Sequence, residues 1–202
     1  MKALHLALLA AVAAVFAWSA IGPKDYPTWM LEVFPVVLAL PVLAATYHRF
    51  RLTDLVYCLI ALHAIVLIVG GHYTYAEVPL GDWARDAFGL ARNNYDRLGH
   101  LLQGFVPALI AREVFLRLDV VRGAIWRFVV ICCICLAISA CYEFLEWWTA
   151  LVSEEGAAAF LGTQGDNWDT QWDMFMALCG AVSAQLLLAR WHDRQLAQLK
   201  AR

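Results

Sequence analysis

The stretch AIWRFVVICCICLAISACYEFLEW, residues 124–147, decides the class of fold. Between Arg127 and Glu143 it carries no charge, and as a helix the whole run is about 36 Å long, against a hydrocarbon core of about 30 Å. Such a run is stable in lipid because a helix satisfies its own backbone donors and acceptors. Working outward, four comparable stretches precede it, at 4–22, 30–46, 55–71 and 98–118, and one follows, at 174–189. The chain of 202 residues is 62% hydrophobic and 16% charged, with a mean hydropathy of +0.63. Soluble domains carry about 25% charged residues. The expectation is an all-α, polytopic membrane helix bundle of about six transmembrane helices, forming one domain over residues 1–202.

Two stretches depart from a plain apolar helix. In the fourth, Leu98 to Ala111 spans only about 21 Å, so its polar ends must lie within the bilayer. The second contains Glu32, Pro35 and Pro41. A proline removes a backbone donor, which predicts a kink or a break there.

Basic residues set the expected orientation. With the N-terminus cytoplasmic, Lys2, Arg49, Arg51, Arg112, Arg117, Arg122, Arg127, Arg190, Arg194, Lys200 and Arg202 lie inside, and only Lys24, Arg85, Arg92 and Arg97 lie outside. Both termini are then cytoplasmic, and the outer loops are 72–97 and 148–173. Trp83, Trp147, Trp148, Trp168 and Trp172 flank those loops, as rings of the headgroup layer do. The first stretch has the basic start of a signal peptide and small residues at Ala17, Ser19 and Ala20. It reads as an uncleaved helix, because its apolar run exceeds the 7–15 residues of a usual h-region. The six cysteines all lie within apolar stretches and read as packing residues.

Chemistry concentrates at the outer helix ends. Asp96 and His100, four apart, share one face at the start of the fourth helix, with Arg97 beside them. Glu143 and Glu146, three apart and next to Tyr142, close the fifth. Asp169 and Asp173 open the sixth, at the end of the run Gly165-Asp166-Asn167-Trp168-Asp169-Thr170-Gln171-Trp172-Asp173. A fourth group, His72-Tyr73-Thr74-Tyr75-Ala76-Glu77, ends the third helix. All four groups lie at one depth and can converge on one pocket.

Paired carboxylates on one helix turn repel each other, so they need a proton, an arginine or a metal. Arg92 and Arg97 are the candidate side-chain cations. A metal would be held by Asp96, His100, Asp169 and Asp173, a set that suits Mg²⁺, Mn²⁺ or Ca²⁺ and also admits Zn²⁺. Glu143 or Glu146 would then serve as general base. The competing reading is a polar network that only fixes helix ends; it accounts for Asp96 and Asp169, which the helix dipole favours, but poorly for Glu143 and Glu146 at a helix C-terminus. A third is a small ion-coupled transporter with Glu32, His63 or Glu143 on its path. His63 alone reads as a hydrogen-bonded core histidine, Glu32 can join the outer cluster, and Arg112-Glu113 reads as a solvated or snorkelled cytoplasmic pair. Whether the chain is an enzyme stays open. No phosphate-cradling glycine loop, Ser-His-Asp order or basic nucleic-acid stripe is present, so the bilayer is the one partner the sequence implies, and protein partners are not indicated.

Several strings together resemble the YjdF-type bacterial inner-membrane family: Phe34-Pro35, Tyr47-His48-Arg49-Phe50, Gly71 to Pro79, Asn93 to His100, Tyr142-Glu143-Phe144-Leu145-Glu146-Trp147, and Gly165-Asp166 through Asp173-Met174. The resemblance covers nearly the whole chain and implies a multi-helix domain in the bacterial cytoplasmic membrane, without implying a reaction. The last three helices resemble the VanZ-like membrane family more distantly, at His100, Glu143, Glu146, Asp169, Asp173 and Gly180. Asp173-Met174-Phe175 departs from that pattern, in which an asparagine commonly precedes the glycine. That likeness implies a role in envelope or glycopeptide-related biology; the metal reading of the residues would make the site that of an enzyme on a lipid or lipid-linked envelope substrate.

Overall fold

A computed structural model describes residues 2–152 and 163–200. Among them there are helices and no strands: α1 (Ala3–Ser19), α2 (Tyr26–Thr46), α3 (Asp54–His72), α4 (Pro79–Phe88), α5 (Tyr95–Leu118), α6 (Ala124–Val152) and α7 (Asp169–Lys200). Four of these, α2, α3, α6 and α7, are long and apolar enough to cross a membrane. The apolar α1 has 17 residues. α5 has 24 residues and carries charge in its first and last turns. Residues 153–162 of the expected loop 148–173 lie outside the described residues, and the other expected loop, 72–97, contains α4.

Local chemistry starts the helices. Asp25 caps α2 by accepting from the Thr28 amide at 2.8 Å, and Thr53 caps α3 through the Val56 amide. α2 then runs without a break through Pro35 and Pro41. Each proline deletes one backbone bond, and the remaining ladder holds the helix through both.

α5 is central. It packs most extensively along α7 and also touches α6 and α3, while α3 holds α1 and α2. Two glycines make the α5–α7 contact close. A Cβ at Gly104 would lie 1.7 Å from the Ala177 carbonyl oxygen, and one at Gly180 would lie 2.0 Å from the Leu101 oxygen. Around this crossing Val56, Ala108, Leu109, Ile131, Cys135, Ala181 and Ala184 form the dry core.

The end of the bundle remote from Asp96 is closed by polar contacts. Glu113 is fully buried. It accepts from the Thr53 amide (3.0 Å), the Thr53 hydroxyl (2.9 Å), Arg117 (2.9 Å) and His192 Nε2 (3.1 Å). Arg112 can only donate to His192 Nδ1, at 3.1 Å, so the His192 proton sits on Nε2 and points at Glu113. The expected solvated Arg112–Glu113 pair is thus corrected: Arg112 binds Asp193 (2.8 Å) and His192, and Glu113 is drawn inside because three helices supply it with donors. Lys2 and His5 join α1 to the same end through Asp54.

The glycine crossing predicts that Gly104→Val and Gly180→Val each lower the melting temperature of the detergent-purified protein. The new side chain meets backbone rather than a movable side chain, so the loss is at least the ~1–3 kcal/mol of ordinary overpacking. Glu113→Ala should cost a comparable ~1–3 kcal/mol, because it strands buried donors.

Candidate functional site

The first turns of α5 and α7 and the last part of α6 bring their polar residues together above the glycine crossing. Asp96, His100 and Asp173 form one group and His100, Glu143 and Glu146 another; within each group, one ligand atom from every residue lies within 4.8 Å of the others. His100 is common to both. Its Nδ1 is 3.1 Å from the Gln103 Oε1, which can only accept, so Nδ1 carries the proton. Nε2 faces Asp96 Oδ1 at 3.6 Å and Glu143 Oε1 at 3.8 Å. Both separations are too long for hydrogen bonds.

The site is buried. His100, Glu143 and Asp173 are all more than nine-tenths buried. Glu143 Oε1 and Asp173 Oδ1 have no hydrogen-bond partner. The two candidate arginines are engaged at its edge. Arg92 pairs with Asp169, reaches the Thr163 carbonyl at 3.1 Å and lies 3.7 Å from Asp166. Arg97 binds Asp166 at 2.5 Å and covers the Trp172 ring at 5.1 Å. Gln164 closes the same edge by exchanging hydrogen bonds with the Asn93 backbone, at 3.1 and 2.8 Å. Residues 163–169 therefore form the edge that roofs the site, with Asp166 and Asp169 as its carboxylates. Asp169 stands apart from both ligand groups because Arg92 holds its carboxylate.

The fourth expected wall divides. His72 Nδ1 is 2.9 Å from the Ser19 carbonyl and its ring lies against Trp18, Tyr73 flanks the same rings, and Glu77 pairs with Lys24. These three fasten α3 to the α1–α2 end and are withdrawn from the pocket, since the chain reverses after α3 and turns them toward α1. Tyr75 goes the other way. With Thr74 and Tyr75 both at positive φ (56° and 51°), its ring enters the space left by Gly70 and Gly99. Burial pushes its hydroxyl well above the ordinary tyrosine range, and nearby Glu32 adds to the rise. Glu32 itself is buried and accepts from the Tyr142 hydroxyl at 2.7 Å, and the Tyr142 ring meets His100 edge-on at 6.2 Å. α2 thus reaches the site through Tyr142. Of the His63 ring, Nε2 is buried without a hydrogen-bond partner.

A buried polar site among helices long and apolar enough to cross a membrane points to an integral membrane protein. The family model "Predicted membrane protein (DUF2238)" matches residues 4–194, and the chain belongs to that family. It is 53% identical over 182 residues to the inner membrane protein YjdF of Escherichia coli K12, covering 90% of this chain and 87% of that protein. No solved structure matches.

Removing the Asp169 carboxylate breaks the buried ion pair that ties Arg92 to the start of α7. Asp169→Ala should therefore speed amide hydrogen exchange across residues 163–168 by about tenfold or more, a loss of at least ~1.4 kcal/mol of local stability, while exchange in α3 stays unchanged.

Proposed function

We propose that this chain is a six-crossing inner-membrane protein, both termini cytoplasmic, whose outer-facing site holds a divalent cation and works on the headgroup of a lipid or lipid-linked substrate. The inner-membrane assignment draws on the relative from Escherichia coli and on the basic residues gathered at the Glu113 end. The observation that carries the cation is His100: one nitrogen is tied to Gln103, and the other faces carboxylate oxygens at non-bonding distance. Ligands spaced about 3–4 Å apart are what an ion with ~2.0–2.6 Å bonds gathers around itself.

Asp96, His100 and Asp173 are the ligands in this reading, and Gln103 fixes the histidine tautomer as an outer-shell acceptor. The cation, Mg²⁺, Mn²⁺, Ca²⁺ or Zn²⁺, would polarise a phosphoryl or carbonyl oxygen. Glu143 and Glu146 sit beside it to take a proton from water. Asp169 has no ligand role here, since its charge is spent on Arg92.

Metal analysis of the purified protein tests this. About one divalent ion per chain is expected, falling to background in Asp173→Asn and His100→Ala, with Asp169→Asn retaining it. Glu143→Gln should keep the metal and lose turnover by a factor of ~100 or more on a lipid substrate once one is found. A protein that takes up none of the four ions at stoichiometric level ends the reading.

A further inference from the structure

We propose that α4 is an in-plane membrane anchor, seated in the headgroup layer of the leaflet where the acidic site lies, with bilayer lipid as its partner. Leu80, Trp83, Ala84, Ala87 and Phe88 recur at helical spacing and form one apolar stripe; Asp82, Arg85 and Asp86 lie off it. In a helix covering a protein core that stripe would face inward. Here it faces out: Leu80, Trp83 and Phe88 are 58%, 62% and 71% exposed, and Gly81 is the buried residue.

α4 is held to the protein at Gly81 and Asp82, while Arg85 is half-exposed and Asp86 exposed. Asn93 Nδ2 donates to the Val78 carbonyl (3.0 Å) and to Asp82 Oδ1 (3.1 Å), and Arg85 binds Asp82 at 2.8 Å. Gly81 is needed for this approach, since a Cβ there would lie 1.8 Å from Asn93 Oδ1. The orientation is thus fixed by contacts, and no rotation of α4 could bury the stripe without breaking them.

Lipid is the occupant that fits. α4 follows directly on the end of α3, a helix long and apolar enough to cross a membrane, and leads into α5, so it lies level with the polar end of a membrane-length helix. A ten-residue helix is about 15 Å long, and a stripe ~10 Å wide offers ~150 Å², far below the ~800 Å² per partner of a stable protein interface. An amphipathic helix with Trp and Phe on its apolar side is suited to the acyl–headgroup boundary. The same Asn93 that grips α4 is bonded to Gln164 of the roof. Lipid contact at α4 therefore holds the roof in place over the site.

The anchor is independent of the cation and is tested without it. In full-length protein reconstituted into liposomes, the Trp83 share of fluorescence is the difference between the parent and Trp83→Phe, which keeps the stripe apolar. That share should fall by about half with lipids brominated near the headgroup end of the chain, and less with bromine near the methyl end or with aqueous iodide. Quenching by iodide but not by brominated lipid would place α4 in water. Protection from both would mean that protein covers it. Either result overturns the anchor.

Discussion

The close crossing of α5 and α7 is the constraint on which the other features depend. Gly104 lets the Ala177 carbonyl approach α5, and Gly180 admits the Leu101 carbonyl to α7. Between lipid-bathed helices, apolar burial supplies little drive, and small residues that let backbones meet are a main source of association. Asp96 and His100 lie above Gly104, and Asp173 lies above Ala177. The crossing thus sets the separation of the two first turns. Below it the same pair of helices sets Glu113 against His192.

The two polar layers are built from similar residues and end in opposite states. Asp96 and Glu113 are about 26 Å apart along α5, close to the thickness of a hydrocarbon core. At the lower layer Thr53, Arg117 and His192 converge on one carboxylate. That is how a buried carboxylate is made tolerable when stability is the only requirement. At the upper layer Asp96, Glu143, Glu146 and Asp173 share one imidazole, while two arginines close by are committed to Asp166 and Asp169. A chain able to complete one network has left the other short of positive charge.

What was legible in the sequence was local. Apolar length marked the helices, and i, i+3 and i, i+4 spacing put Asp96 with His100 and Glu143 with Glu146 on shared faces. Partner choice was not legible where it depends on the return path of a loop. Arg92 and Arg97 were candidates to neutralise the cluster, yet the segment 163–168 folds back and takes both. His72 and Glu77 sat at the right depth, but the reversal after α3 sends them to Ser19 and Lys24. Glu113 looked like a surface partner of its neighbour Arg112, and only the arrival of α7, with His192, makes it an interior acceptor. α4 is not legible in the sequence because ten residues in a loop carry too short a pattern to separate from a turn.

The roof ties these layers to the membrane. Arg92, Asn93 and Arg97 lie within six residues at the entrance to α5, and each holds part of 163–169. Asn93 alone also holds α4. Were the roof fixed only by charge pairs, a passing anionic headgroup could compete for both arginines, because a phosphate matches a guanidinium as well as a carboxylate does. The neutral Asn93–Gln164 pair does not offer that competition. A headgroup drawn to Arg92 or Arg97 would displace Asp166 or Asp169 while Gln164 keeps the segment in register, and the freed carboxylate would stay beside the acidic centre.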